Sequence, residues 1–152
     1  MAASPAGARR KRLGCDADQA VFDEVMTTVR EIMSTQLVTI GPSATLLEAA
    51  RVMSAGHVGS VLVLEAGSLV GIFTERDMLR ALAESSKADE ARVSAVSKWM
   101  TRDPVTVGPD VPVAEALDNM LFGGFRHLPV TESEAVTGMV SMRDLAKSVA
   151  TG

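Results

Sequence analysis

Gly71-Ile72-Phe73-Thr74-Glu75-Arg76-Asp77 and Gly138-Met139-Val140-Ser141-Met142-Arg143-Asp144 are two versions of one phrase. In each, a glycine opens a short apolar run, a hydroxyl residue closes it, and a carboxylate follows three residues later. The apolar run reads as a strand. The hydroxyl then opens a helix, where a Ser or Thr and an acid three residues apart can cap each other. Sliding the chain by 67 residues superposes the two phrases, and the same slide carries residues 29–83 onto 96–150 without a gap. Met33 then meets Met100, Val38-Thr39 meets Val105-Thr106, Gly41-Pro42 meets Gly108-Pro109, Met53 meets Met120, and Val63 meets Val130. A register held this long marks an internal repeat. Two copies packed about a pseudo-twofold axis leave a groove at that axis, the natural place for a ligand.

Working outward from the phrase, each copy predicts the order β-α-β-β-α. Residues 37–40 form a short β segment stopped by Gly41-Pro42. Thr45 with Glu48 makes a capping box for a helix to about residue 55, which Gly56 ends. Residues 58–64 are nearly all apolar and rich in Val, as in a buried strand. Glu65-Ala66-Gly67-Ser68 is a tight turn, so the strand over 69–73 runs antiparallel, and a helix follows from Thr74 to about residue 83. The second copy predicts a helix over 93–100, a β segment over 104–107, a helix over 112–121, strands over 126–130 and 136–140, and a helix over 141–149. Ahead of the first copy, Ala20, Val21, Val25, Met26, Val29 and Met33 stand at helical spacing, predicting a helix within residues 18–33. The chain divides into a tail at 1–17, a first repeat with its leading helix at 18–84, a polar linker at 85–92 and a second repeat at 93–150. The fold class is α+β.

Composition narrows the role. The 152 residues are 47% apolar but only 3% aromatic, with nine Met and no Tyr. One copy of about 55 residues would hide only roughly 60% of its unfolded surface, so two copies sharing a core are favoured over separate beads. The formal net charge is −4, which argues against a nucleic-acid binder. No apolar run reaches the length of a membrane span. Cys15 is the one cysteine, which suits a reducing, cytoplasmic setting. Residues 1–17 carry Arg9-Arg10-Lys11-Arg12 and read as a solvated basic tail; organellar targeting and contact with nucleic acid stay open for it.

The hydroxyl–acid pairs carry the chemistry. A carboxylate offers two acceptor oxygens suited to a vicinal diol such as the ribose 2′- and 3′-hydroxyls. The N–H groups of a helix start, beside an Arg, favour a phosphate. The same residues are also ordinary capping chemistry, and one role does not exclude the other.

The repeated order, the segments Val38-Thr39-Ile40-Gly41-Pro42 and Arg126-His127-Leu128-Pro129-Val130, and the two closing phrases together resemble a tandem pair of CBS domains, or Bateman module, over residues 29–150. The resemblance implies two β-α-β-β-α CBS repeats about a pseudo-twofold axis, with an adenosine ligand (AMP, ADP, ATP, NAD or S-adenosylmethionine) in the cleft between them. It assigns the ribose to Thr74 and Asp77 and to Ser141 and Asp144. It assigns the adenine to the leading β segments at Val38, Thr39, Val105 and Thr106, and brings Gly59, Ser60, Arg126 and His127 close to base or phosphate. Arg76 and Arg143 can serve a phosphate or face solvent. Arg126 can pair with a phosphate or with an acid across the groove. The copies differ at Gly59-Ser60 against Arg126-His127, so the two sites are expected to be unequal. Trp99, at the place of Ile32, is expected in a core or dimer interface rather than stacked on an adenine. His57 is expected at a helix end, where its charge would suit the dipole, rather than as a ligand contact.

No catalytic set is recognisable: His57 and His127 are the only histidines, and there is no phosphate-binding Gly-rich loop or metalloprotease motif. The expectation is therefore a regulatory sensor rather than an enzyme, with no metal and no membrane, acting through a homodimer or a partner protein. The alternatives are a nucleic-acid-associated factor using the basic tail and a scaffold without ligand.

Overall fold

The computed structural model describes residues 27–151. The basic tail, and all but the end of the helix expected over 18–33, lie outside the described residues. Within them, a single turn of helix α1 (Val29–Ile32) leads to β1 (Thr39–Ile40), α2 (Leu46–Gly56), the hairpin β2 (Ser60–Glu65) and β3 (Ser68–Thr74), and α3 (Glu75–Glu84). After α4 (Ala88–Val93) and one 3-10 turn (Val96–Lys98) come β4 (Thr101–Arg102), α5 (Val113–Gly123), the hairpin β5 (His127–Glu132) and β6 (Ala135–Ser141), and α6 (Met142–Thr151). No helix among the described residues is long and apolar enough to cross a membrane.

The local causes are those the residues suggest. Thr45 caps α2 by accepting the Glu48 N–H at 3.1 Å, while Glu48 accepts the Thr45 N–H at 2.8 Å. Leu46, Ala49 and Met53 form the buried face of α2. Its end differs from expectation: Gly56 is the last helical residue, and His57 makes the left-handed cap at φ 54°. At the matching place in the second copy that cap is Gly124. Both hairpins turn through two residues of positive φ, Ala66-Gly67 and Ser133-Glu134, the geometry that matches the twist of the flanking strands. Both carry a register shift at the same place, after Val63 and after Val130.

What joins the copies is an exchange of arms. The segment ahead of the second copy folds onto the first: β4 pairs antiparallel with β3, Gly71 opposite Arg102 and Ile72 opposite Thr101. The segment ahead of the first copy folds onto the second, with Ser34 and Met139 exchanging two backbone hydrogen bonds of 2.9 Å. Bridges from Thr28 to Pro112 and from Thr45 to Ala95 repeat the symmetry. Side chains follow the backbone. One core holds Leu46, Val61, Val63 and Phe73 together with Val96, Trp99 and Met100. The other holds Val113, Met120, Leu128 and Val140 together with Val29, Ile32 and Met33. Burying a side chain of this kind is worth about 1.5–3 kcal/mol, so each arm stabilises the copy it does not precede.

The exchange explains where the structure departs from the sequence expectations. No regular helix spans 93–100, because the Val96 and Ser97 N–H groups are taken by the Ala44 and Pro42 carbonyls of the first copy. The segment expected as a polar linker contains α4, which buries Ala91 to 1% exposure and packs on α2 and α3. The β segment expected over 104–107 is a single bridge, Val107 to Val130, and the pairing strand lies earlier, at β4.

Two glycines permit the crossing. A Cβ on Gly71 would stand 2.5 Å from the Met100 Sδ and 2.9 Å from the Thr101 carbonyl oxygen. A Cβ on Gly138 would meet Met33 and Ser34 in the same way, at 2.5 and 3.0 Å. Gly41 has open space around the equivalent position. Gly71→Ala and Gly138→Ala should therefore each cost about 1–3 kcal/mol, several degrees of thermal midpoint for a chain of this size, while Gly41→Ala serves as a near-neutral reference in the same melts.

Candidate functional site

A cleft of about 1140 Å³ opens between the copies, where β3 and β6 lie against each other. It joins the start of α6, at Ser141 and Asp144, to Val38 of the first copy's leading segment. Gly59 and Ser60 of the first copy, and Arg126, His127 and Arg143 of the second, also line it. Eight of the residues singled out from sequence thus share one wall system.

Strand and cap geometry position the acid. Ser141 ends β6 and Met142 begins α6. The Asp144 N–H donates to the Ser141 Oγ at 3.1 Å, and the Ser141 N–H donates to the Asp144 Oδ2 at 3.3 Å. The pair caps the helix and lines the cleft at once. Asp144 is half-buried, so its carboxylate is held in place yet reachable.

The first copy's pair is built alike and placed differently. Thr74 donates its N–H and its hydroxyl to the Asp77 Oδ2 at 2.9 and 3.1 Å, and the Asp77 N–H donates back to the Thr74 Oγ1 at 3.2 Å. Asp77 is only 7% exposed. Neither residue lines the cleft, and neither do Thr39, Arg76, Val105 or Thr106; those four are exposed. Trp99 is buried in the first core, its indole N–H donating to the Ser94 Oγ at 3.1 Å.

Charge in the cleft comes unequally from the two copies. Glu75 packs its carboxylate over Gly59, where a Cβ would lie 3.3 Å from Oε2. In the second copy Arg126 replaces that glycine and Met142 replaces that acid. The backbone contact is kept in both: the Glu75 N–H reaches the Gly59 carbonyl at 3.0 Å, and the Met142 N–H reaches the Arg126 carbonyl at 2.7 Å. Burial pushes the half-buried His127 imidazole below its usual value; Glu75 pulls upward, Arg126 lowers it further, and Asp144 raises it.

The cleft also recruits residues that sequence reasoning missed as ligand contacts. Gln36 precedes Val38 by two residues, so strand alternation could have placed it on the same face. Glu75 adjoins Thr74, but the hydroxyl–acid spacing drew attention past it. His57 reaches the cleft from its left-handed cap, a backbone state uncommon outside glycine, Asn, Asp and His. Met53, Met78 and Leu79 add an apolar wall. The whole offers a carboxylate at Asp144, an apolar shelf and two cations, Arg126 and Arg143. Among the described residues no group of His, Cys, Asp and Glu is arranged to hold a metal ion.

Comparison with known proteins bears on the fold and the family. A 17.7 kDa protein of Acidianus ambivalens is 41% identical over 125 residues, covering 81% of this chain and 73% of that one. A CBS-domain-containing protein of Arabidopsis thaliana is 38% identical over 122 residues, but this chain spans only 21% of its length. Among solved structures, a CBS-domain-containing protein from Agrobacterium tumefaciens superposes with a TM-score of 0.76 at 32% identity, covering 81% of this chain and 99% of that one. The CBS domain pair of protein MJ0100, solved in complex with 5′-methylthioadenosine and S-adenosyl-L-methionine, gives 0.75 at 25% identity, over 83% and 98% of the two chains. The sequence profile of the CBS domain matches twice, at residues 29–84 and 93–151. Two matches on two copies that complete each other's cores mean that this chain belongs to the CBS-domain family, as a tandem pair.

Proposed function

We propose that this protein is a regulatory module that binds an adenosine-containing ligand in the cleft between its CBS domains and performs no chemistry on it. The observation that carries this is the meeting of the Ser141–Asp144 pair with Val38 of the other copy in one cleft. Asp144 would accept the ribose diol, and Val38 with the neighbouring Met53 would cover the base. Arg126, Arg143 and His127 would face a phosphate or another anionic group. The adenosine compounds bound by the similar MJ0100 domain pair support the same ligand class.

Output would pass through protein surface. Helix α3 contributes Glu75, Met78 and Leu79 to the cleft, and Leu82 on the same helix is 49% exposed. On α5, Leu121 is exposed and Phe122 is 97% exposed. Bare apolar side chains on these two helices favour a homodimer or a partner chain packed helix to helix, with α3 linking occupancy to that face.

Thermal melting against AMP, ADP, ATP, NAD and S-adenosylmethionine tests the reading. At about 100 times its dissociation constant a true ligand adds about 2.7 kcal/mol, a shift of several degrees here. Asp144→Ala should remove most of it; an unchanged shift in that variant would sink the ribose assignment.

His127 adds a pH signature. Its folded value lies below the unfolded one of about 6.5, so the unfolded chain takes up the proton first as pH falls. The ligand-free protein should therefore lose stability as pH drops through about 6.5 and below, and His127→Gln should flatten that slope. A bound phosphate favours the imidazolium, so the AMP-induced shift should grow between pH 7.5 and 6 in the wild type and stay level in His127→Gln.

A further inference from the structure

We infer that, of the two hydroxyl–acid pairs, only Ser141–Asp144 is a ligand site, because Arg80 and Trp99 latch the Thr74–Asp77 pair shut. This rests on the adenosine reading above and adds its stoichiometry: one ligand per chain, although the motif occurs twice.

The latch is a short chain of contacts. Both donors of Thr74 already occupy the Asp77 Oδ2. The other oxygen, Oδ1, accepts from the Arg80 Nη2 at 3.3 Å. The same Nη2 donates to the Trp99 carbonyl at 2.8 Å, and the guanidinium lies over the Trp99 ring, 5.2 Å from its centroid. Trp99 itself is packed in the first core, so the cation is held from the backbone, the ring face and the acid together. A diol approaching Asp77 would have to displace the guanidinium from an acid that is almost wholly buried.

The ion pair is not a large source of stability, since the Arg80 side chain is 46% exposed and such pairs are worth little. Its effect is on occupancy: it consumes the acceptor a ribose would need. Lys147 stands at the place of Arg80 in the second copy, but the ring that anchors the first copy's device has Ile32 as its counterpart, and an aliphatic side chain offers no face to a cation.

Trp99 is the one tryptophan of the chain, so its emission reports on the latch directly. The full chain is titrated calorimetrically with AMP and, separately, with S-adenosylmethionine, following Trp99 fluorescence in parallel. One equivalent of ligand should bind and leave the emission unaltered. Asp144→Asn should weaken binding about tenfold or more, as expected for losing a charged hydrogen-bond acceptor. Asp77→Asn should stay within about twofold, since an Asn at this third helical position keeps a side-chain oxygen to accept the Thr74 N–H. Arg80→Ser should open the second pair, raising the stoichiometry toward two with a Trp99 emission that now responds. Two equivalents in the wild type, a saturable Trp99 response there, or stronger dependence on Asp77 than on Asp144 would overturn the inference while leaving adenosine binding intact. An Arg80→Ser protein that still binds one equivalent would refute the latch. If neither compound binds the wild type, the adenosine reading fails and this one with it.

Discussion

Met100 lying across Gly71, and Met33 lying across Gly138, is the contact on which the rest of the molecule depends. Neither CBS copy closes its own core. The first lacks a lid until Val96, Trp99 and Met100 arrive from beyond α4, and the second waits for Val29, Ile32 and Met33. A copy of this size has only a marginal interior of its own, and the exchange adds apolar surface to each core. It also fixes the relative placement of the copies, since backbone pairing of β4 with β3 and of Ser34 with Met139 allows one register each.

The cleft follows from that placement. Once the arms are crossed, β3 and β6 are brought together, and the start of α6 in one copy faces the leading segment of the other. A helix cap that would be purely structural in an isolated copy becomes the wall of a pocket. The hydroxyl–acid pairs therefore do two things: they end a strand and start a helix in both copies, and in the second copy they also present a carboxylate to the space between. Symmetry of fold does not become symmetry of chemistry, because the residues nearest the axis differ. Glu75 and Gly59 stand on one side, Met142 and Arg126 on the other. The cleft is consequently polar in a directional sense, and His127, between an acid and a cation, is sensitive to what fills it.

Legibility varied along the chain for identifiable reasons. Helices α2, α3 and α5 and both hairpins were readable because capping pairs, turn residues and apolar runs are local signals. The stretch from 85 to 107 was not. Its α4 is held by the seating of one small residue, Ala91, and the helical spacing of Val93 to Met100 is overruled by backbone donors committed to the other copy. Among the candidate site residues, Ser141, Asp144, Val38, Gly59, Ser60, Arg126, His127 and Arg143 meet in the cleft, whereas Thr74 and Asp77, identical in motif, do not. The hydroxyl and the acid are kept in both motifs and do not foretell which pair meets the cleft; the first pair is engaged by Arg80, three residues on, which is itself anchored on Trp99, on an arm from the other repeat.

The order of residues is enough to establish the duplication, the α+β class, the family and the hydroxyl–acid pairs, because each is written in spacing between near neighbours or in a constant offset along the chain. Which arm completes which core, where the cleft opens, and which acid is exposed to it are matters of packing. They depend on contacts between residues tens of positions apart, such as Trp99 with Arg80 and Ser34 with Met139, and such contacts leave no periodic trace in a single sequence.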